Sequence, residues 1–350
     1  MLPQFCLPFS QRSHVTMPRQ VLFLLAIVLS VCATPPVMAQ HSFPSNGALS
    51  NDAQGESSTD AAFMLQVDDD VVPYTVMAAF VMPGESIPID VLLPTRHDQF
   101  TATAAKGTLE PVERRPGWVW TAPETPGMVP ITVEEDASRQ SIRIHAFVLT
   151  PFDHATDWIG RYRIGAYENA PLRGDPVYQR PEGFIRVTKA NRDVKLSPHF
   201  QLRQFLSKQV DRERTFPQYV LVRVPLLLKL EMILDRVQEE GADVETLHVM
   251  SGFRTPYYNR RIGNTTSYSR HLYGGAADIF VDENGDGRMD DLTGDGRVTK
   301  ADAQYLAKIV SSLRDDTWYD PLVGGLGVYG PAPHRGPFIH VDTRGRPARW

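Results

Sequence analysis

Cysteine is almost missing from this chain of 350 residues: there are two, Cys6 and Cys32. Both lie before residue 40, so from Gln40 onward there is no disulfide, no thiol nucleophile and no sulfur ligand for a metal. Charge of one sign is not concentrated either. The formal net charge is −5 with no long basic run, which argues against a dedicated nucleic-acid binder. The apolar run at residues 21–31 is too short to span a bilayer comfortably. No repeat of 20–50 residues is visible. What remains is ordinary for a globular chain, 42% hydrophobic and 22% charged, and the length predicts two or three domains.

Arg12 and Arg19 precede the apolar run, and Val37-Met38-Ala39 closes it on a small residue. That order reads as a secretory signal over 1–39, cleaved after Ala39. The expectation is an exported protein of the periplasm or cell envelope, with no stable membrane insertion after cleavage and a net charge near −7 once both arginines are gone. Residues 40–60, rich in Ser, Asn, Gly, Asp and Gln, read as a flexible leader. Residues 61–151 alternate in short runs, as in Ser86-Ile87-Pro88-Ile89-Asp90-Val91, with turn signals at Pro83-Gly84 and Pro126-Gly127. They predict a small antiparallel β-sandwich, an immunoglobulin-like accessory domain. Trp118 and Trp120 fit its core better than a sugar platform. Residues 152–195 read as a small β module or an ordered connector. A helix is expected from Ser197-Pro198 through Phe205, a second over 225–240 ended by Gly241, a strand at 246–250, and a third helix at 300–313.

Chemistry concentrates in Ser269-Arg270-His271-Leu272-Tyr273-Gly274-Gly275-Ala276-Ala277-Asp278. Small residues between His271 and Asp278 let the backbone turn tightly, so both side chains can face one site. Asp278 opens the apolar stretch Ile279-Phe280-Val281, where a carboxylate is costly to bury without a cation or strong partners. Near the end, His340 and Asp342 share one face of the alternating run Phe338-Ile339-His340-Val341-Asp342. Two imidazoles and one carboxylate suit Zn²⁺ with an open position for water.

The string His271-x-x-Gly274-x-Ala276-x-Asp278 resembles the signature of zinc D-Ala-D-Ala carboxypeptidases and related murein endopeptidases. Ser251-Gly252-Phe253-Arg254-Thr255-Pro256 is similar to that family's arginine loop. Gly324-Gly325-Leu326-Gly327-Val328-Tyr329, the His340 run and the closing Ala348-Arg349-Trp350 are similar to one branch of the endopeptidases. The resemblance covers about 197–350. It implies an α+β zinc peptidase domain over 196–350 with the Hedgehog/D,D-peptidase fold, acting on peptidoglycan stem peptides or cross-links. It also implies His271, Asp278 and His340 as zinc ligands, Arg254 as a substrate-binding and oxyanion-stabilising residue, and Ser269 and Tyr329 at the substrate. The family's usual general-base positions are Pro337 and Phe338 here, neither of which can do that work. Asp342, as base or as orienter of a ligand imidazole, and then His334 are the alternatives.

An acidic insert, 282–302, follows Asp278. Asp291, Thr293, Asp295, Thr299 and Asp302 occupy loop positions 1, 3, 5, 9 and 12, with Gly296 at 6 and Arg297 at the position that offers a backbone carbonyl. That spacing is read as a calcium loop. The rival class is a non-catalytic peptidoglycan-binding or calcium-dependent envelope adhesion protein with a structural metal site.

Overall fold

The computed structural model describes residues 60–92, 99–211 and 214–350. The expected signal segment and all but the last residue of the expected leader lie outside them. That last residue, Asp60, opens a strand, Asp60–Val67.

Alternation governs the N-terminal region as the sequence predicts. In Ser86–Leu92, Ile87, Ile89 and Val91 are buried while Ser86 and Pro88 are exposed, and Gly127–Glu135 and Ser141–Val148 also bury alternate residues. Two sheets result. One orders five strands as Asp70–Tyr74, Asp60–Val67, Ser86–Leu92, Gly117–Thr121 and Thr108–Pro111. The other orders four as Val76–Val81, Ser141–Val148, Gly127–Glu135 and Phe100–Ala104. The expected antiparallel pattern fails at one ladder: Val76–Val81 runs parallel to Ser141–Val148. These segments are distant in sequence, so no local turn signal announces their pairing. Trp120 is fully buried and its Nε1 donates to the Lys106 carbonyl at 2.9 Å, which makes it a core residue.

Residues 152–195 are ordered and built from short pieces. Gly183–Val187 pairs with Thr150–Pro151 on one side and Gln218–Val220 on the other. The buried Tyr167, Tyr178 and Phe184 tie this segment to Tyr273 and Phe253 by ring contacts.

The helix expected from Ser197 to Phe205 does not form. Only Leu202–Phe205 is helical, as a 3-10 turn. The amides of Leu196 and Ser197 both reach the Phe200 carbonyl, and the His199 amide donates to Glu231. These bonds fold the segment into a turn, and Leu196, Phe200, Leu202 and Phe205 are all fully buried. Tertiary burial overrides the capping signal.

Among the described residues Val224–Glu239 is the longest helix, with Pro225 in its first turn and Gly241 beyond its end at φ +100°. Leu226, Leu227, Leu230, Ile233, Leu234 and Val237 are buried at three- and four-residue spacing, each contributing about 1.5–3 kcal/mol by removal from water. Lys300–Ser312 is the other long helix, burying Ala303, Leu306, Ile309 and Val310. It packs on a five-stranded sheet ordered His248–Ser251, Ala276–Phe280, Phe338–Asp342, Gly325–Tyr329 and Ala348–Arg349. Its pairs are antiparallel except the last, which is parallel. The C-terminal region is therefore mixed α+β.

Candidate metal centre

Register across this sheet assembles the site. Ser251 pairs with Asp278, Asp278 with His340, and His340 with Gly327. Residues directly opposite one another point to the same face, so the serine, the aspartate and the histidine stand in one row. The neighbours Ile279, Ile339 and Val341 are fully buried on the other face. His271 comes from outside the sheet, on the 3-10 turn Arg270–Tyr273, which ends at Gly274 with φ +67°. A Cβ there would lie 2.8 Å from the Leu221 backbone, so glycine is required twice over.

These three side chains meet. His340 Nδ1 lies 3.0 Å from Asp278 Oδ1, His271 Nε2 lies 3.3 Å from the same oxygen, and the two nitrogens are 3.1 Å apart. Ligands about 2.0–2.1 Å from a tetrahedral Zn²⁺ stand about 3.3 Å from each other. The donor set therefore fits zinc without rearrangement. Among the described residues it is also the one group of His, Cys, Asp and Glu side chains gathered closely enough for a metal.

Each imidazole is oriented by its other nitrogen. His271 Nδ1 lies 2.7 Å from the Gly252 carbonyl oxygen. A carbonyl only accepts, so that nitrogen carries the proton and Nε2 keeps its lone pair for the site. His340 Nε2 faces Asp342 Oδ2 at 3.1 Å, which leaves Nδ1 for the site when the ring is neutral. Burial pulls the His271 pKa down. Burial works the same way on His340, but hydrogen bonds to Asp278 and Asp342 outweigh it and raise its pKa. Burial alone would raise Asp278; the charge and hydrogen bonds of His271 and His340 reverse this and hold it well below the usual carboxylate range.

Asp342 lies behind His340. It is fully buried, and its oxygens accept from Gly325 N at 2.8 Å, Arg344 Nε at 2.9 Å and Arg344 Nη2 at 2.5 Å besides His340. Burial pushes its pKa up, but these bonds hold it well below the ordinary carboxylate value. Arg254 donates through Nη2 to Asp278 Oδ2 and through Nε to Ser251 Oγ at 2.8 Å. Ser269 precedes the His271 turn and its side chain makes no capping bond. Tyr329 stacks on Phe338 with centroids 4.6 Å apart, and its hydroxyl accepts from Trp350 Nε1 at 2.5 Å. His334 sits exposed on a turn closed by Ala332 and Arg335, and among the described residues no hydrogen bond joins it to the triad.

Three further residues back this row: Trp350 belongs to the closing Ala348-Arg349-Trp350 motif, while no motif points to Arg344 or Lys229. Trp350 packs beside His340 with ring centroids 5.2 Å apart, and a Cβ on Gly325 would come within 2.8 Å of its indole. Arg344 clamps Asp342 and lies over the Trp350 ring. Lys229, 1% exposed, donates to the carbonyls of Asp342 at 2.8 Å and Leu322 at 3.1 Å.

The calcium expectation finds no support. The carboxylate of Asp291 accepts from the amides of Gly294, Asp295 and Gly296 and from the Thr293 hydroxyl. Asp302 takes the amides of Thr293 and Thr299 as the third residue of a capping box at the start of Lys300–Ser312. Asp295 accepts from the Arg297 amide. Thr299-x-x-Asp302 is an N-terminal helix signature in its own right, and the acidic spacing is used for turns and that cap.

Residues 198–306 match the family model described as Peptidase M15. The match includes His271, Asp278 and Arg254 and stops short of His340. No curated protein and no solved structure matches the chain. Over 198–306 the chain is thus similar to Peptidase M15 proteins, which agrees with the likeness of its motifs to zinc D-Ala-D-Ala carboxypeptidases.

Proposed function

We propose that this protein is an exported zinc peptidase that hydrolyses amide bonds in peptidoglycan stem peptides or cross-links. The observation that carries the reading is the convergence of His271, Asp278 and His340 within tetrahedral ligand spacing, the first two inside a Peptidase M15 match. Zinc held there would supply Lewis acidity and a water nucleophile at neutral pH.

The chain's own residues have separate tasks. Gly252 and Asp342 fix which nitrogen of each histidine faces the ion. Arg254 shares the negative charge of Asp278 and directs the rest of its guanidinium to a substrate carbonyl oxygen, where negative charge grows in the transition state. Asp342 acts as orienter, not as general base, because its oxygens are filled and lie behind the His340 ring, on the side away from the ligand nitrogen. Ser269 and Tyr329 border the substrate. We read the C-terminal region as Hedgehog/D,D-peptidase-like and the N-terminal sheets as an immunoglobulin-like accessory domain. The periplasm or envelope follows from the presequence pattern; among the described residues no helix is long and apolar enough to cross a membrane.

Zinc-loaded protein incubated with purified sacculi should release new muropeptides by mass spectrometry, and chelation should stop it. His340→Ala should retain no zinc. Absence of new peptides from zinc-replete enzyme would sink the hydrolase reading, and full zinc stoichiometry in the variant would sink the ligand set.

A further inference from the structure

No step of the proposed hydrolysis uses Arg335, yet the fold holds it firmly beside the metal centre. It closes a turn between Gly325–Tyr329 and Phe338–Asp342, where backbone bonds run both ways between Ala332 and Arg335 at 2.8 and 3.1 Å. Its Cζ lies 4.7 Å from the Phe338 ring centre and 5.8 Å from that of Tyr329. Nη1 donates to the Gly330 carbonyl at 2.8 Å and more weakly to that of Gly336 at 3.4 Å.

Those contacts fix its place. Phe338 and His340 stand two residues apart on one strand, so both rings point to the metal face. Tyr329 pairs with Phe338 and shares that face. A guanidinium packed on these rings therefore stands on the metal side of the sheet, about 7 Å along the strand from His340. About two extended peptide residues span that distance. Trp350 links the Tyr329 hydroxyl to the His340 ring and is half exposed, so this flank of the centre opens to solvent.

The guanidinium is half-buried and has a free edge. Nη1 is taken, whereas among the described residues Nε and Nη2 make no hydrogen bond and no carboxylate pairs with Arg335. Stacking presents that edge at a set angle and leaves the charge unneutralised. Nε with Nη2 is the fork that grips a carboxylate through two parallel bonds, and a carboxylate is the anion that a peptide carries. We propose that Arg335 is a specificity-determining residue, its Nε–Nη2 edge binding a substrate carboxylate about two residues from the scissile amide. The assignment rests on the zinc-peptidase reading and adds a preference to it, for acidic peptides over neutral ones.

Calorimetric titration of zinc-loaded full-length protein tests it without turnover. The probes are the monohydroxamates of succinate, glutarate and adipate, each beside its matching carboxamide. The hydroxamate engages zinc and the far end reaches along the flank. For at least one length the carboxylate should bind about tenfold tighter than the carboxamide. Arg335→Gln should erase that ratio, and Arg335→Lys, which keeps the charge but lacks the fork, should keep only part of it. Should Arg335→Gln not fold, the drop in Arg335→Lys decides alone. Equal affinity within every pair overturns the assignment. So does a ratio that survives Arg335→Gln, which would put the anion elsewhere, on Arg254 for instance. Acetohydroxamate, which carries no carboxylate, separates this failure from that of the metal reading. If it shows no zinc-dependent binding, the metal reading falls and takes the assignment with it.

Discussion

Asp342 presents two chemistries that one substitution separates. If its work is to hold the His340 ring, then Asp342→Asn should loosen the metal, because a carboxamide orients the imidazole less firmly and leaves Arg344 without its anion. Loss of such an outer partner typically costs about 10–100-fold in metal affinity. Competition against a zinc-binding dye should show that drop. Unchanged zinc affinity with lost turnover would instead make Asp342 the proton carrier. At this scale the sequence was half legible. That His340 and Asp342 share a face follows from their spacing, and the glycine-rich His271–Asp278 block announces two ligands. The saturation of Asp342 is only partly legible: Arg344 follows it by two residues, but Gly325 arrives from a neighbouring strand that only the sheet brings alongside. Lys229 is not legible: a lysine on an apolar helix face reads as a boundary residue, and it is buried only because the Asp342 and Leu322 carbonyls meet it there.

Elements that place the site are sensitive at their joints. Gly274 ends the His271 turn in the left-handed region and has the Leu221 backbone against it. Gly345 has a similar φ of +75° but open space around it. Gly345→Ala should therefore cost about 1 kcal/mol, the left-handed penalty alone, and Gly274→Ala about 3 kcal/mol or more, as read by urea unfolding. A second joint ties the 196–201 turn to Val224–Glu239. His199 Nδ1 lies 2.6 Å from the fully buried Glu231 carboxylate, and this hydrogen bond raises the His199 pKa above 6.5 against the opposing effect of burial. A raised histidine stabilises the fold fully below its unfolded value and loses that contribution as pH climbs through the folded value. Stability should thus fall as pH rises from about 6.5, and Glu231→Gln should flatten the slope in a pH series of urea titrations. This pairing also shows why the sequence misplaced the helix at 197–205. Ser197-Pro198 is a sound local start signal, but the Glu231 carboxylate and the Phe200 carbonyl claim the amides. Strands are more legible than this helix, because a period of two survives any tertiary partner, whereas the choice of partner, as at Val76–Val81, is not written in it.

Across the whole molecule, the question is whether the zinc triad stabilises only its own sheet or the N-terminal sheets as well. The described chain behaves as one compact unit, joined by specific bonds: Ala78 N to the Leu196 carbonyl at 2.7 Å and His145 Nδ1 to the Lys195 carbonyl at 2.7 Å. Phe152 adds an edge contact with Phe184. The triad draws on segments far apart in sequence, so an ion that binds only the folded form stabilises it by about 2.7 kcal/mol at a hundredfold excess over Kd. If both regions unfold together, the slowest amides of Gly127–Glu135, remote from the metal, should exchange about 100-fold more slowly with zinc at that excess. His340→Ala should abolish the effect. Hydrogen exchange with peptide-level mass spectrometry reads both regions in one experiment. Slowing confined to Ala276–Phe280 and Phe338–Asp342 would mean that the sheets unfold separately and that the bonds at Ala78 and His145 dock the accessory region without coupling it.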